Sequence, residues 1–106
     1  MNQYTIYCTE EQTKKALELG APITHNGLDN TPLKIPTAEQ MLGWLEAETT
    51  IDRVNVSKGI DDKFHWGVYL SYKMINGSFE GCKTRKEATI AAINSALEYL
   101  TNQKSK

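Results

Sequence analysis

The chain has 106 residues, 40% hydrophobic and 24% charged, which is enough for one folded core and not for two. Lysine plus arginine number 12 against 13 for aspartate plus glutamate, a net charge of −1 that excludes long-range attraction to nucleic acid or acidic membrane. A polyanion ligand would therefore need positive charge gathered on one face.

Cys8 and Cys82 lie far apart, with no C-x-x-C, so the sequence predicts free thiols in a reducing, cytoplasmic setting rather than a disulfide framework. The N-terminus lacks the basic and apolar regions of a secretion signal, and no apolar run reaches the roughly 20 residues that span a bilayer. The expected organisation is a single domain. An N-terminal strand–helix extension with a connector occupies 1–35, an α-β-β-β-α core occupies 36–102, and a frayed tail occupies 103–106.

Tyr4 to Cys8 is rich in strand formers and predicts a short strand. Thr9 then suits an N-cap, with Gln12 at the capping-box position and Gly20 at the left-handed C′ position before Pro22. The apolar stripe of this helix is thin: Ala16, Leu17 and Leu19. Residues 23–36 read as a connector, with Asn26-Gly27 as a turn. Thr37 and Gln40 repeat the capping pattern, and Ala38, Met41, Leu42 and Leu45, beside Trp44, predict an amphipathic helix to about Glu48. A strand is expected over Ile51–Ser57.

From Phe64 to Met74 the apolar residues Phe64, Trp66, Val68, Leu70, Tyr72 and Met74 occupy every second position, as in a strand with one buried face. Asn76-Gly77 favours a type I′ turn, which would pair Met74 with Phe79 and Lys73 with Glu80. A last helix opens with Thr84 as N-cap and Glu87 three residues on. Its stripe is Ala88, Ala91, Ala92, Ala96 and Leu100, widened by Ile93 and Leu97. Trp66, Leu70, Ala92, Ala96 and Leu100 are expected to meet in the core. The fold class is α+β: a three-stranded antiparallel sheet with helices on one face, preceded by the extension.

The chemistry is spare. Neither His25 nor His65 has a carboxylate, Cys or His at ligand spacing nearby, so no metal site or cofactor is predicted. With Cys82 expected opposite Ser71, His65 would lie about 20 Å away along its strand, which disposes of a Cys–His dyad. Asp61-Asp62 reads as a polar turn rather than a catalytic carboxylate pair. No catalytic residue is assigned, and the chain reads as a non-enzymatic binding module. The one candidate site is Lys83-Thr84-Arg85-Lys86, basic residues around a helix start whose unpaired N–H groups favour an anion. A solvated cap, with Glu87 relieving the charge, is the alternative.

Phe64–Leu100 resembles the C-terminal part of double-stranded-RNA-binding domains, in which a hairpin leads into a helix with a basic, alanine-rich start. Thr84, Arg85, Lys86, Ala88, Ala91 and Ala92 match, and the likeness extends over Thr37–Leu100. It implies contact between duplex RNA and Lys83, Thr84, Arg85 and Lys86. The sequence departs from the family at Thr89, where a third lysine is usual, and at Lys58–Lys63, which replaces a Gly-Pro-x-His loop. The segments IPTAEQMLGWLE and TRKEATIAAINSALEYL are also similar to small phage-related proteins of gut bacteria. That likeness implies an accessory role with a host or phage protein as partner, through a sheet edge or the polar first helix, and no membrane.

Overall fold

Local capping chemistry decides where the helices begin. The computed structural model describes residues 6–21, 35–71, 73–77 and 81–104. Helix α1 (Glu10–Glu18) and helix α2 (Ala38–Glu48) each start with a complete capping box, Thr9 with Gln12 and Thr37 with Gln40. Helix α1 ends in a Schellman motif. The Ala21 N–H donates to the Ala16 carbonyl at 2.9 Å and the Gly20 N–H to the Leu17 carbonyl at 3.0 Å, with Gly20 at φ +98°. Of the strand expected over Tyr4–Cys8, the described part is a single bridge between Tyr7 and Thr37. The Asn26-Gly27 turn and His25 lie outside the described residues.

Three antiparallel strands follow in the order β1 (Arg53–Lys58), β2 (Phe64–Leu70) and β3 (Lys73–Gly77). The β1–β2 register places Val54 opposite Val68 and Val56 opposite Trp66, so the branched residues share one face. The Glu46 carboxylate of α2 accepts the Val54 N–H at 3.0 Å.

The second hairpin departs from expectation. Leu70 pairs with Lys73 and Tyr69 with Met74, so the chain reverses between Leu70 and Lys73, where Ser71 takes φ +49°, and not at Asn76-Gly77. Met74 is thus found opposite Tyr69; the expected partners Phe79 and Glu80 lie outside the described residues. Gly77 instead lies opposite Gly67. A Cβ at Gly67 would come within 3.0 Å of the Met74 sulfur, and one at Gly77 within 2.8 Å of it. The two glycines therefore provide space for the Met74 thioether, and the Tyr69 ring also covers Gly67. The early reversal moves Met74 to the open face, where it is 53% exposed. A bulge then inserts Ile75, which packs against the core while Asn76 donates to Ser95 Oγ at 2.6 Å.

Helix α3 (Arg85–Lys104) lies across the face of the sheet that carries Val54 and Val68, and runs about a turn past Leu100. Thr101, inside that turn, donates its hydroxyl to the Leu97 carbonyl at 2.8 Å. Ala92, Ile93, Ala96 and Leu97 are fully buried among Leu45, Ile51 and Val68. Each large apolar side chain so buried contributes about 1.5–3 kcal/mol. Trp66 and Leu100 are half-buried against this cluster, as expected in part, whereas Leu70 is half-buried outside it.

Helices α1 and α2 both pack against α3, and α2 also meets β1. Here α1 presents not only Ala16 but the fully buried Gln12 and Thr13. The Gln12 amide nitrogen donates to the Ile90 carbonyl at 2.8 Å and to Asn94 Oδ1 at 2.9 Å, while its oxygen caps Thr9. Burial pushes the Cys8 thiol up to about 11. No described helix is long and apolar enough to cross a membrane.

Candidate functional site

The β1–β2 loop, 59–63, is held by its own short bonds. The Gly59 N–H donates to the Lys63 carbonyl at 2.8 Å, and the Asp62 N–H to the Gly59 carbonyl at 3.1 Å. Asp62 sits at φ +67°, a conformation aspartate tolerates better than most residues. Asp61 Oδ1 accepts the Lys63 N–H at 3.1 Å, and both Asp61 oxygens contact His65 Nε2, at 3.1 and 3.0 Å. The His65 hydrogen bond, then the Lys63 N–H, holds the Asp61 carboxyl below the usual carboxylate range. The neighbouring Asp62 turns the other way, to Lys58 Nζ at 2.9 Å.

The two acids are thus a polar turn with separate partners, as expected. The expectation that His65 has no nearby carboxylate is corrected: Asp61, four residues earlier, is brought onto it by the loop. Among the described residues no three His, Cys, Asp or Glu gather as a metal would need. Ile60, at the tip, is fully exposed.

The segment leading into α3 is stitched to the same place. Cys82 bridges Phe64, each N–H donating to the other's carbonyl, at 2.7 and 2.9 Å. Gly81, at φ +79°, lies against the His65 ring and Lys63, so close that a Cβ there would come within 2.9 Å of both. Cys82 is therefore opposite Phe64, not Ser71. Directly paired residues project to the same side of a sheet, so Cys82 leaves on the side away from His65. The Cys–His dyad still fails, for a different reason from the separation along the strand inferred from the sequence.

Of the four residues singled out in the sequence, Thr84 is used as a cap, its hydroxyl accepting the Glu87 N–H at 3.1 Å. Arg85 turns toward the sheet. Its Nη1 donates to the Val56 carbonyl at 3.4 Å, and its guanidinium carbon lies 5.1 Å from the centre of the Phe64 ring. Lys83 and Lys86 are exposed and form no ion pair among the described residues. Thr89, at the position of the family's third lysine, is buried at 5% exposure and cannot reach a ligand.

Loop and helix start together gather Lys58, Lys63, Lys83, Arg85 and Lys86 against Asp61, Asp62 and Glu87. Lys58 is paired with Asp62 and Asp61 with His65, so among the described residues five cations stand against three acids here, a local excess of positive charge in a chain of net charge −1. Sequence reading missed the loop's share of this surface, because the bridge from Phe64 to Cys82 joins segments 18 positions apart. Among the described residues the arrangement brings no nucleophile and base together; what it can do is meet negative charge. No protein-family model, no curated protein and no solved structure matches the chain.

Proposed function

We propose that this is a non-enzymatic cytoplasmic module of phage-related origin that binds the phosphate backbone of a duplex nucleic acid, RNA in the first instance. The contact surface is the end of the domain where the β1–β2 loop meets the start of α3. The observation that carries this reading is the bridge between Phe64 and Cys82, which sets Lys63 across from Lys83 next to the start of α3, while the loop's acids are paired with His65 and Lys58. Duplex RNA is recognised largely through shape and phosphate contacts, which suits exposed lysines on a rigid end better than a pocket.

The test is a titration of labelled duplex RNA at low and moderate salt, with a Lys83→Ala, Lys86→Ala double variant alongside. About three neutralised phosphates give a log–log salt slope of about −2 to −3 by analogy with DNA, hence a weak complex at physiological salt. Absence of binding at low salt refutes the reading; undiminished binding by the variant refutes the site.

A protein partner is the competing reading, favoured by the exposed Met74 on the sheet face opposite α3. Its signature is affinity that changes little with salt.

A further inference from the structure

We propose that Arg85 is a positioning residue of this surface and not one of its phosphate contacts, an inference that rests on the reading above. The side chain touches both stems of the loop. Its hydrogen bond goes to Val56, two residues before Lys58, and its flat face lies over Phe64, the residue after Lys63. One side chain from α3 thus fixes the helix start against the two strands that carry the loop.

It also fixes the rotation of the helix about its axis. Successive α-helical residues are turned by about 100°. With Arg85 directed at the sheet, Lys86 points well away from it, where it is exposed. The contact needs the particular chemistry of arginine, because a guanidinium can stack on a ring and donate from its rim at once. An ammonium keeps the charge but loses the planar fork. A sequence comparison with the resembling family would place Arg85 among the phosphate ligands; here its guanidinium is already engaged.

The experiment compares Arg85→Lys, Arg85→Ala and Lys86→Ala in two measurements. The first uses no ligand: amide exchange at Gly59, Asp62 and Lys63, the donors that hold the loop, with Val68 as a reference in the sheet. The expected result for Arg85→Lys is exchange about two- to fivefold faster in the loop, the factor matching an exposed cation–π contact, with Val68 unchanged. The second is duplex RNA binding against salt. Arg85→Lys and Arg85→Ala should weaken binding alike and leave the salt slope unchanged, because the loss lies in organising the surface. Lys86→Ala should reduce the slope by about 0.7–0.9, one phosphate's worth.

Loop exchange unchanged in Arg85→Lys overturns the proposal, as does Arg85→Lys binding like the unaltered chain, or Arg85→Ala lowering the slope as Lys86→Ala does. If the unaltered chain binds no RNA, the proposed function fails; the exchange measurement then still decides whether Arg85 holds the loop.

Discussion

Removing the Gln12 carboxamide should undock the whole N-terminal segment. This fully buried side chain makes three hydrogen bonds: it accepts from the Thr9 N–H and donates to the Ile90 carbonyl and to Asn94 Oδ1. Each is worth about 0.5–1.5 kcal/mol net, so Gln12→Ala should cost about 1.5–4.5 kcal/mol before any loss of packing. Helix α1 has only nine residues and cannot stand alone, so the cost falls on its attachment to α3.

Gln12→Glu separates hydrogen bonding from volume. Ionised, the new carboxylate faces the Ile90 carbonyl without a proton to donate, so its folded pKa should rise above the ordinary value near ~4.3. A raised pKa means that stability is fully present below the unfolded value and is lost as pH rises through the folded value. The Gln12→Glu deficit should accordingly be largest at pH 7 and shrink as pH falls toward about 4. The assay is urea unfolding followed by tryptophan fluorescence at both pH values, with limited proteolysis reporting release of the N-terminal segment. Both variants lying within about 0.5 kcal/mol of the unaltered chain at pH 7 would refute the argument, since three buried bonds cannot be worth so little.

Two further outcomes test other parts of the structure. Ser71→Gly should raise stability slightly, by about 0.5 kcal/mol in thermal or urea unfolding, because φ +49° strains serine and not glycine. Were the reversal at Asn76-Gly77, residue 71 would lie inside a strand and the same change would cost about 0.5–1 kcal/mol. The depressed Asp61 pKa makes the loop's order a property of pH above the usual carboxylate range, lost as pH falls through the lowered value. Acidification below about pH 4 should release the Lys63 amide in exchange or NMR measurements, and Asp61→Asn should remove that dependence; an unchanged profile in the variant would sink the assignment.

What was legible in the sequence is what is settled within a few residues. Thr9 with Gln12 and Thr37 with Gln40 satisfy helix N–H groups by local reach, and Gly20 ends α1 by its own conformational freedom. The stripe on α3 was legible because helical period and burial coincide, and the α+β class follows from the order of elements. The second hairpin was not. Asn76-Gly77 is a strong local turn signal, but turn preference is worth little beside side-chain packing. Here Gly77 is needed opposite Gly67, under a Met74 that no local pattern links to either.

The candidate site was half legible for the same reason. Lys83, Arg85 and Lys86 are contiguous and easily seen, whereas the role of Arg85 depends on Val56 and Phe64, 29 and 21 positions away. Gln12 was read correctly as a cap; its remaining donors, and the helix they find, belong to tertiary structure.

The bonds that Glu46 and Arg85 make to Val54 and Val56 have a consequence for association between chains. Strand β1 is the first in the sheet order, with one side facing away from β2, and a bare row of backbone groups there would invite another chain to continue the sheet. A carboxylate from α2 occupies one of its donors and a guanidinium from α3 one of its acceptors, so an incoming strand would have to displace both. This protection is tertiary: it exists only once α2 and α3 have docked. Any state in which the two helices are undocked therefore exposes the edge of β1 to intermolecular pairing.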